Sequence, residues 1–456
     1  MARVILGVGA GIAAYKACEL LRLFKESGHA VRVIPTQDAL RFVGEPTWSA
    51  LSGEPVTTDV WTGVADVPHV KLGQTADLVI VAPATADLLA RAAAGMSGDL
   101  LTATLLTARC PVVYAPAMHT EMWEHPATQA NVAALRARGA VVVEPAVGRL
   151  TGKDSGKGRL PEPAGLFELA EKIMGFRTGD NHAPVRDNGL SLAGKRVLVS
   201  AGGTREELDP VRFLGNWSTG RQGYAFARSA IAQGADVTLV AANVELPDPA
   251  GVKVVKVVSA NDMHAAMLAE APHADAIVMT AAVADFRPVA RADQKIKKGG
   301  ALPPPIELAE NPDILADLSR RRGGRGRDGQ VIVGFAAETN PDLDAAKAKL
   351  ARKGSDFLVM NQVGGGRGFG AADNEWVVLA ADGAVIPVPR QSKDALADFV
   401  LALVAARLRW PDRSSLARSM SLTCAIARAL RLDSAGQLTT ADGDKTWRVG
   451  FLPPSR

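Results

Sequence analysis

The sequence predicts an α/β protein of two Rossmann-like, three-layer domains with parallel sheets, and three observations carry that expectation. The chain has 456 residues, more than one hydrophobic core normally serves. Twice, at residues 3–8 and at Val197–Val199, a short apolar run empties into a glycine turn and a helical segment, the pattern of a β-α-β unit. Further apolar runs at Leu78–Val81, Val112–Tyr114, Ala276–Met279 and Val331–Val333 end in small or polar residues. Parallel strands deliver such ends to one edge of the sheet, where ligands bind.

Composition narrows the classes. With 47% hydrophobic and 22% charged residues the chain has an ordinary soluble composition. A net charge of +4 is too small to argue for a nucleic-acid partner, and no apolar run reaches the roughly 20 residues of a membrane span. The opening MARVILGVGAGIAAYK reads as a first strand and glycine turn rather than a signal peptide, since no small-residue cleavage site follows. Cys18, Cys110 and Cys424 form no disulfide or zinc spacing, which favours a reducing cytoplasm.

In the first domain, Gly9-Ala10-Gly11 leads into a helix from about Ile12 to Ser27 and a strand at Ala30–Ile34. This fits the loose dinucleotide fingerprint G-x-G-x-x-A. An NAD site also wants an acid after the second strand, and here stand Pro35, Thr36 and Gln37. Hydroxyl and amide groups suit a phosphate or a flavin's ribityl chain better than an adenosine ribose. The third strand ends in Pro83, Ala84 and Thr85; their small size leaves room for a flat ring, and Thr85 can cap the next helix. The fourth ends in PAMHTEMW, which makes His119 the better functional histidine by position. His69, in a loop before the third strand, reads by position as a structural residue. Gly148–Pro163 is glycine-rich and basic, as fit for a flap over the site as for a linker.

Residues 177–193 read as the linker. Beyond it, Arg196–Gly223 runs from a buried strand through Gly202 and Gly203 to a polar segment carrying Asp209, Arg212 and Asn216, then a helix start at Ser218-Thr219-Gly220. That convergence of donors suits an anion. The second strand of this half ends in Ala241-Ala242-Asn243, again without an acid for NAD. Asp285 lies beyond the small-residue turn that starts at Thr280 and Ala281, placed to meet a ribose or Mg²⁺. Lys295, Lys297 and Lys298 follow, then Asn311-Pro312-Asp313-Ile314, then Phe335 at another strand end. Lys349 and Lys353 fall four apart, on one face of a helix, and with the Lys295 loop suit a triphosphate.

These motifs resemble those of the bifunctional phosphopantothenoylcysteine decarboxylase/phosphopantothenate–cysteine ligase of bacterial coenzyme A biosynthesis. SAGGTREELDPVR, NWSTGRQG, TAAVADFRP, KIKK, NPDIL and VGFAAET occur in the family's order, as do GIAAYK, VAPATAD and PAM followed by MW. The resemblance spans roughly residues 3–407. It implies a flavodoxin-like FMN-binding decarboxylase domain at 1–176, a CTP-dependent ligase domain at 194–409, and an extension of no assigned role at 410–456.

In the ligase half the resemblance implies a CTP- and Mg²⁺-dependent reaction of 4′-phosphopantothenate and L-cysteine through an acyl-cytidylate. Asn216 would contact that intermediate and Lys295 the triphosphate. Asp285 would meet the cytidine ribose, Phe335 the base, Pro312, Asp313, Ile314 and Leu315 the base edge, and Lys349 and Lys353 the phosphates; Thr280 and Ala281 complete the nucleotide site. In the decarboxylase half, Gly9, Gly11, Ile12, Thr36, Pro83, Ala84 and Thr85 would hold FMN. Oxidation of the cysteinyl thiol eases loss of CO₂, and return of a hydride gives 4′-phosphopantetheine. The catalytic histidine corresponds to His69. The family also implies trimers of flavin domains and dimers of ligase domains, combined into an assembly as large as a dodecamer. No metal ligand is assigned.

Two departures stand out. His119 replaces the asparagine that normally follows Pro-Ala-Met, and a histidine can donate the same hydrogen bond. The flap lacks the family's proton-donating cysteine; Thr151-Gly152 occupies that place, leaving Lys153, Asp154 or water to supply the proton. The alternative is a monofunctional ligase whose flavin domain is impaired.

Overall fold

The structure is a computed structural model and describes residues 1–61, 67–150, 154–177, 190–297, 305–322, 329–338, 342–362, 373–409, 437–439 and 446–448. Thr151–Lys153, most of the expected linker, Lys298 and Cys424 lie outside the described residues, as does most of the 410–456 extension. Two compact units emerge, one of Met1–Lys195 with Ala230–Val237 and Asp248–Lys253, the other of Arg196–Ser229, Thr238–Pro247 and Val254–Arg456.

The first unit runs β1 (Arg3–Val8), α1 (Ala14–Glu26), β2 (Ala30–Pro35), α2 (Glu45–Ser52), α3 (Pro68–Thr75), β3 (Leu78–Ala84), α4 (Ala86–Ala94), α5 (Leu100–Thr107) and β4 (Val112–Pro116). Then come α6 (Thr120–Glu124), α7 (Pro126–Ala137), β5 (Val141–Val142), β6 (Ala146–Arg149), β7 (Ser155–Arg159) and α8 (Pro163–Arg177). The sheet order is β2-β1-β3-β4-β5, all parallel, with Val4 opposite both Val31 and Leu78. Helix α1 buries Ala14, Ala17, Leu20, Leu21 and Phe24, the three- and four-residue spacing of one helical face. Each large side chain so buried contributes about 2 kcal/mol of apolar transfer. The Gly148–Pro163 region is not an extended linker, because β6 and β7 form an antiparallel hairpin across it.

The second unit runs β8 (Arg196–Gly202), β9 (Arg205–Asp209), β10 (Arg212–Gly215), α9 (Arg221–Ala232), β11 (Asp236–Ala242), β12 (Lys253–Val257), α10 (Ala260–Glu270) and β13 (Ala276–Met279). It continues with β14 (Phe286–Pro288), β15 (Leu308–Glu310), α11 (Ile314–Arg321), β16 (Val331–Glu338), α12 (Leu343–Lys353), β17 (Phe357–Gln362), β18 (Asp373–Ala380), β19 (Val385–Ser392) and α13 (Lys393–Arg409). The eight-stranded order is β12-β11-β8-β13-β16-β17-β18-β19. Strands β8, β13, β16 and β17 pair in parallel, whereas β18 and β19 add an antiparallel edge absent from the sequence expectation. Its turn is set by Asp382 and Gly383, the latter at φ +97°, where a residue with a Cβ would be strained. The polar segment of the sequence is also ordered, as the antiparallel hairpin β9–β10.

In both units the chain reverses direction across the sheet beside its first strand, between β1 and β3 and between β8 and β13. Such a switch point opens a crevice at the strands' carboxyl ends.

Candidate active site

A cavity of about 910 Å³ lies in the second unit at its switch point. Its floor is two strand ends laced together. Ala282 N donates to Gly202 O (2.8 Å), Thr280 Oγ1 to Ser200 O (2.5 Å), Ala281 N to Ser200 Oγ (3.1 Å) and Ala284 N to Thr204 Oγ1 (2.9 Å). Gly202 sits at φ +85°, and a Cβ there would lie 1.9 Å from Ala242 O, so only glycine passes. A Cβ on Gly223 would meet Ala201 Cβ at 2.4 Å; its absence seats the first turn of α9 directly on β8.

Eleven of the twelve residues expected in the second half's site line this cavity: Asn216, Thr280, Ala281, Asp285, Pro312, Asp313, Ile314, Leu315, Phe335, Lys349 and Lys353. Asn216 Nδ2 donates to Val283 O (2.9 Å), which ties the β10–α9 connection to the floor. Asn311 fixes the opposite wall, donating from Nδ2 to Ala284 O (2.9 Å) and from its amide to Asp285 O (2.8 Å). Phe335 stands edge-on to Phe226, ring centroids 5.6 Å apart, an apolar face held at fixed tilt.

The cavity cations are partly engaged. Lys349 Nζ bonds Glu338 (3.0 Å). Lys353 bonds Asp313, whose carboxylate also caps α11 by accepting from Ala316 N (3.1 Å). Burial pushes the Asp313 carboxyl up, but the Lys353 bond, the Ala316 amide and the nearby Lys353 and Arg320 charges outweigh it and hold it below the usual range. Lys295 is exposed and stands outside the cavity lining. Its loop is strapped to the β9–β10 turn, since Ile296 N donates to Asp209 Oδ2 (3.1 Å) and Arg212 Nη2 to Ile296 O (2.6 Å). Lys393, which lies about 190 residues from the glycine turn at Gly202-Gly203 and so outside any local pattern, also lines the cavity. Its local signal, Ser392 capping a helix that opens with Lys393-Asp394, was legible.

In the first unit, Gly9 N donates to Pro83 O (2.9 Å) across the switch point, and a Cβ on Gly9 would lie 2.5 Å from that oxygen. The Ala82–Pro83 bond is cis. Above Gly11 a Cβ would meet nothing within 4 Å, and Ile12 beside it is exposed, so the crevice is open at this edge. Thr36 N bonds Val8 O (2.8 Å), Thr85 Oγ1 caps α4 through Leu88 N (3.2 Å), and Ala84 is buried. Thus the ends of β1, β2 and β3 meet as the sequence suggests.

His69 lies in the first turn of α3, not in a loop, because Pro68 at N1 favours helix there. Its carbonyl accepts from Thr107 Oγ1 (2.7 Å), and its Nδ1 is buried without a hydrogen-bond partner, an arrangement that calls for explanation. His119 is half-exposed, 3.9 Å from Glu121. The flap crosses here. Met118 N donates to Gly158 O (2.9 Å), and Gly158 and Gly156 pack so closely on Met118 and Thr120 that a Cβ would clash at 2.1 and 2.3 Å. At the flap's base Glu144 binds Arg136 (2.9 Å) and Lys157. Burial raises its carboxyl, but those two cations lower it further, to below its usual range. Asp154 is exposed. Cys110 is buried and Cys18 half-buried; burial, partly offset by its own backbone hydrogen bond, pushes the Cys18 thiol up.

No three His, Cys, Asp or Glu side chains cluster to hold a metal among the described residues, and no described helix is long and apolar enough to cross a membrane.

Family models match both halves: "Flavoprotein" over residues 1–175 and "DNA/pantothenate metabolism flavoprotein C-terminal domain" over 192–408. The coenzyme A biosynthesis bifunctional protein CoaBC of Mycobacterium tuberculosis (strain ATCC 25618 / H37Rv) is 58% identical over 405 residues, 88% of this chain and 95% of its own. Its counterpart in Vibrio cholerae is 41% identical over 406 residues, 88% of this chain and 97% of its own. Among solved structures, the C-terminal domain of a CoaBC protein is 35% identical, with a TM-score of 0.41, and covers 48% of this chain and 98% of that one. With both halves matched in order and more than half of the aligned residues identical to one relative, this chain belongs to the family of coenzyme A biosynthesis bifunctional CoaBC proteins.

Proposed function

We propose that the chain is a cytoplasmic enzyme joining 4′-phosphopantothenate to L-cysteine at the expense of CTP and decarboxylating the product to 4′-phosphopantetheine with FMN. The observation that carries the reading is the cavity at the β8/β13 switch point, where Asn216, Asp285, Phe335, Lys349 and Lys353 converge.

In the ligase half, the substrate carboxylate attacks the α-phosphorus of CTP and pyrophosphate leaves; the cysteine amine then attacks the acyl carbon and CMP leaves. Phe335 offers a face to the base and Asp285 an acceptor to the ribose. The Lys349–Glu338 and Lys353–Asp313 pairs are partly solvated and so weak; incoming phosphates compete for both ammonium groups, which then stabilise the charge passing to pyrophosphate. Lys295 joins them from its strapped loop. Asn216, braced on Val283, presents its amide toward the acyl intermediate. Mg²⁺ would enter on the nucleotide's phosphates, the usual mode for that ion.

In the flavin half, Gly9, Gly11, Ile12, Thr36, Pro83, Ala84 and Thr85 would hold FMN. The open edge above Gly11 and the orphaned Nδ1 of His69 fit a missing polar ligand. Bound FMN supplies two-electron oxidation of the cysteinyl thiol and its reversal. His69 is assigned proton transfer through its free ring nitrogen, and His119 a hydrogen bond to the substrate carboxylate. The hairpin β6–β7 packs on Met118 and Thr120, either side of His119. As a second reading, the flap's lack of a cysteine favours a chain active only as a ligase. The family's trimeric and dimeric contacts are proposed here too.

Purified protein decides between them. Flavin absorbance with CO₂ release from phosphopantothenoylcysteine supports the bifunctional reading; a yellow protein that releases none leaves the ligase alone.

A further inference from the structure

We propose that Arg221, within the NWSTGRQG motif, and Lys393, outside every motif quoted above, together receive a phosphate group in the second unit's cavity as specificity-determining residues. The inference rests on the CTP-dependent reading of that cavity and deepens it.

Both residues line the cavity, Arg221 at its exposed rim and Lys393 partly buried. Arg221 opens α9 and Lys393 opens α13. The two helix starts are fastened together, with Gln222 Nε2 donating to Lys393 O (3.3 Å) and Arg228 Nη2 pairing with Asp394 (3.0 and 3.3 Å). The second bond matters doubly. It consumes the acid nearest in sequence to Lys393, and among the described residues neither Arg221 nor Lys393 has a side-chain hydrogen bond or ion pair. The other two cavity lysines differ, since Glu338 and Asp313 hold them.

Two cations on one wall of a cavity repel each other, and each sits at the positive end of a helix, where the macrodipole opposes it. Lys393 is also half withdrawn from water. Burial first, and then the Arg221 charge, push its amine below the ordinary lysine range. An anion bound between them reverses all three penalties. An arginine fork beside a lysine point charge matches a tetrahedral phosphate, whose oxygens accept from both. Two ligands of the reaction carry such a group, the phosphate monoester of 4′-phosphopantothenate and the phosphates of CTP.

The test uses the full chain with Lys393→Met, Arg221→Met and the charge-keeping Lys393→Arg, each checked for an unchanged thermal midpoint. Calorimetric binding of 4′-phosphopantothenate is compared with that of pantothenate, and of CTP with that of cytidine. If the corner reads the monoester, Lys393→Met weakens 4′-phosphopantothenate by about 10- to 100-fold, the range of one charge-assisted hydrogen bond, and leaves pantothenate and CTP unchanged. If it reads the nucleotide, CTP weakens by that factor and cytidine does not. Lys393→Arg restores most of the loss in either case. Losses under two-fold, or equal losses for ligands with and without phosphate, overturn the proposal. Pyrophosphate release by the unaltered chain reports separately on the ligase reading, and the binding comparison stands whether or not turnover occurs.

Discussion

Replacing Asp209 by asparagine separates two jobs of one carboxylate. Its Oδ1 accepts from Val211 N (2.8 Å) and Arg212 N (2.9 Å), which builds the turn between β9 and β10. Its Oδ2 accepts from Ile296 N (3.1 Å), next to Lys295. An asparagine keeps the first oxygen and turns the second into an NH₂ group facing another N–H. The turn survives while one of the two hydrogen bonds that strap the Lys295 loop is lost, leaving only Arg212 Nη2 on Ile296 O. The Ile296, Val211 and Arg212 amides and the Arg212 charge outweigh burial and hold this carboxyl below its usual range, so near neutral pH the native group is fully ionised; its contribution disappears only as pH falls through that depressed value. Displacing a catalytic lysine by about 1 Å costs on the order of 100-fold in rate. We therefore expect Asp209→Asn to slow CTP-dependent pyrophosphate release by about 10- to 100-fold, with a cytidine affinity and thermal midpoint close to those of the unaltered chain. Lys295→Gln provides the reference, and the double variant should be little worse than either alone. A rate within two-fold of the unaltered chain would refute the strap argument.

Other perturbations address the remaining assignments. Asn216→Asp puts a second negative charge beside the acyl-cytidylate and loses the amide donated to Val283; nucleotide binding should persist while turnover falls at least about ten-fold, and normal turnover in a quench-flow assay would remove Asn216 from the site. His69→Asn should abolish CO₂ release, by about 100-fold or more, with pyrophosphate release untouched; loss of both would indicate a folding defect instead. Gly158→Ala forces a Cβ against Met118 O, costing about 1–3 kcal/mol of local packing. Its expected result is slower CO₂ release at unchanged flavin content, and an unchanged rate would detach the flap from the reaction.

Much of this architecture is legible in the amino-acid order because local chemistry and global fold agree there. The runs at Val4–Val8 and Val197–Val199 are apolar throughout, as strands buried on both faces must be, and each is followed by a glycine, Gly9 or Gly202, that the close approach of backbone requires. The hairpin β9–β10 escaped because its pattern is inverted: Glu206 and Asp209 are buried while Arg205 and Glu207 are exposed. Glu206 earns its place by accepting from Ala260 N (2.9 Å), a partner 54 residues away that no window reveals. The antiparallel edge carries one local signal, the turn dipeptide Asp382-Gly383, but its pairing with β17 is set by contacts far along the chain. Of the site, the residues on strand ends follow from the parallel sheet alone. The pairings of Lys349 and Lys353 depend on where β16 and α11 bring Glu338 and Asp313, and the approach of Lys393 to Arg221 depends on α13 packing beside α9; both are tertiary facts.

The central claim is that one chain performs both half-reactions. Purified protein supplied with CTP, Mg²⁺, 4′-phosphopantothenate and ¹⁴C-carboxyl-labelled L-cysteine should release pyrophosphate first and labelled CO₂ after it, in equal final amounts. Pyrophosphate with no labelled CO₂ from flavin-loaded protein, or neither product, would contradict it.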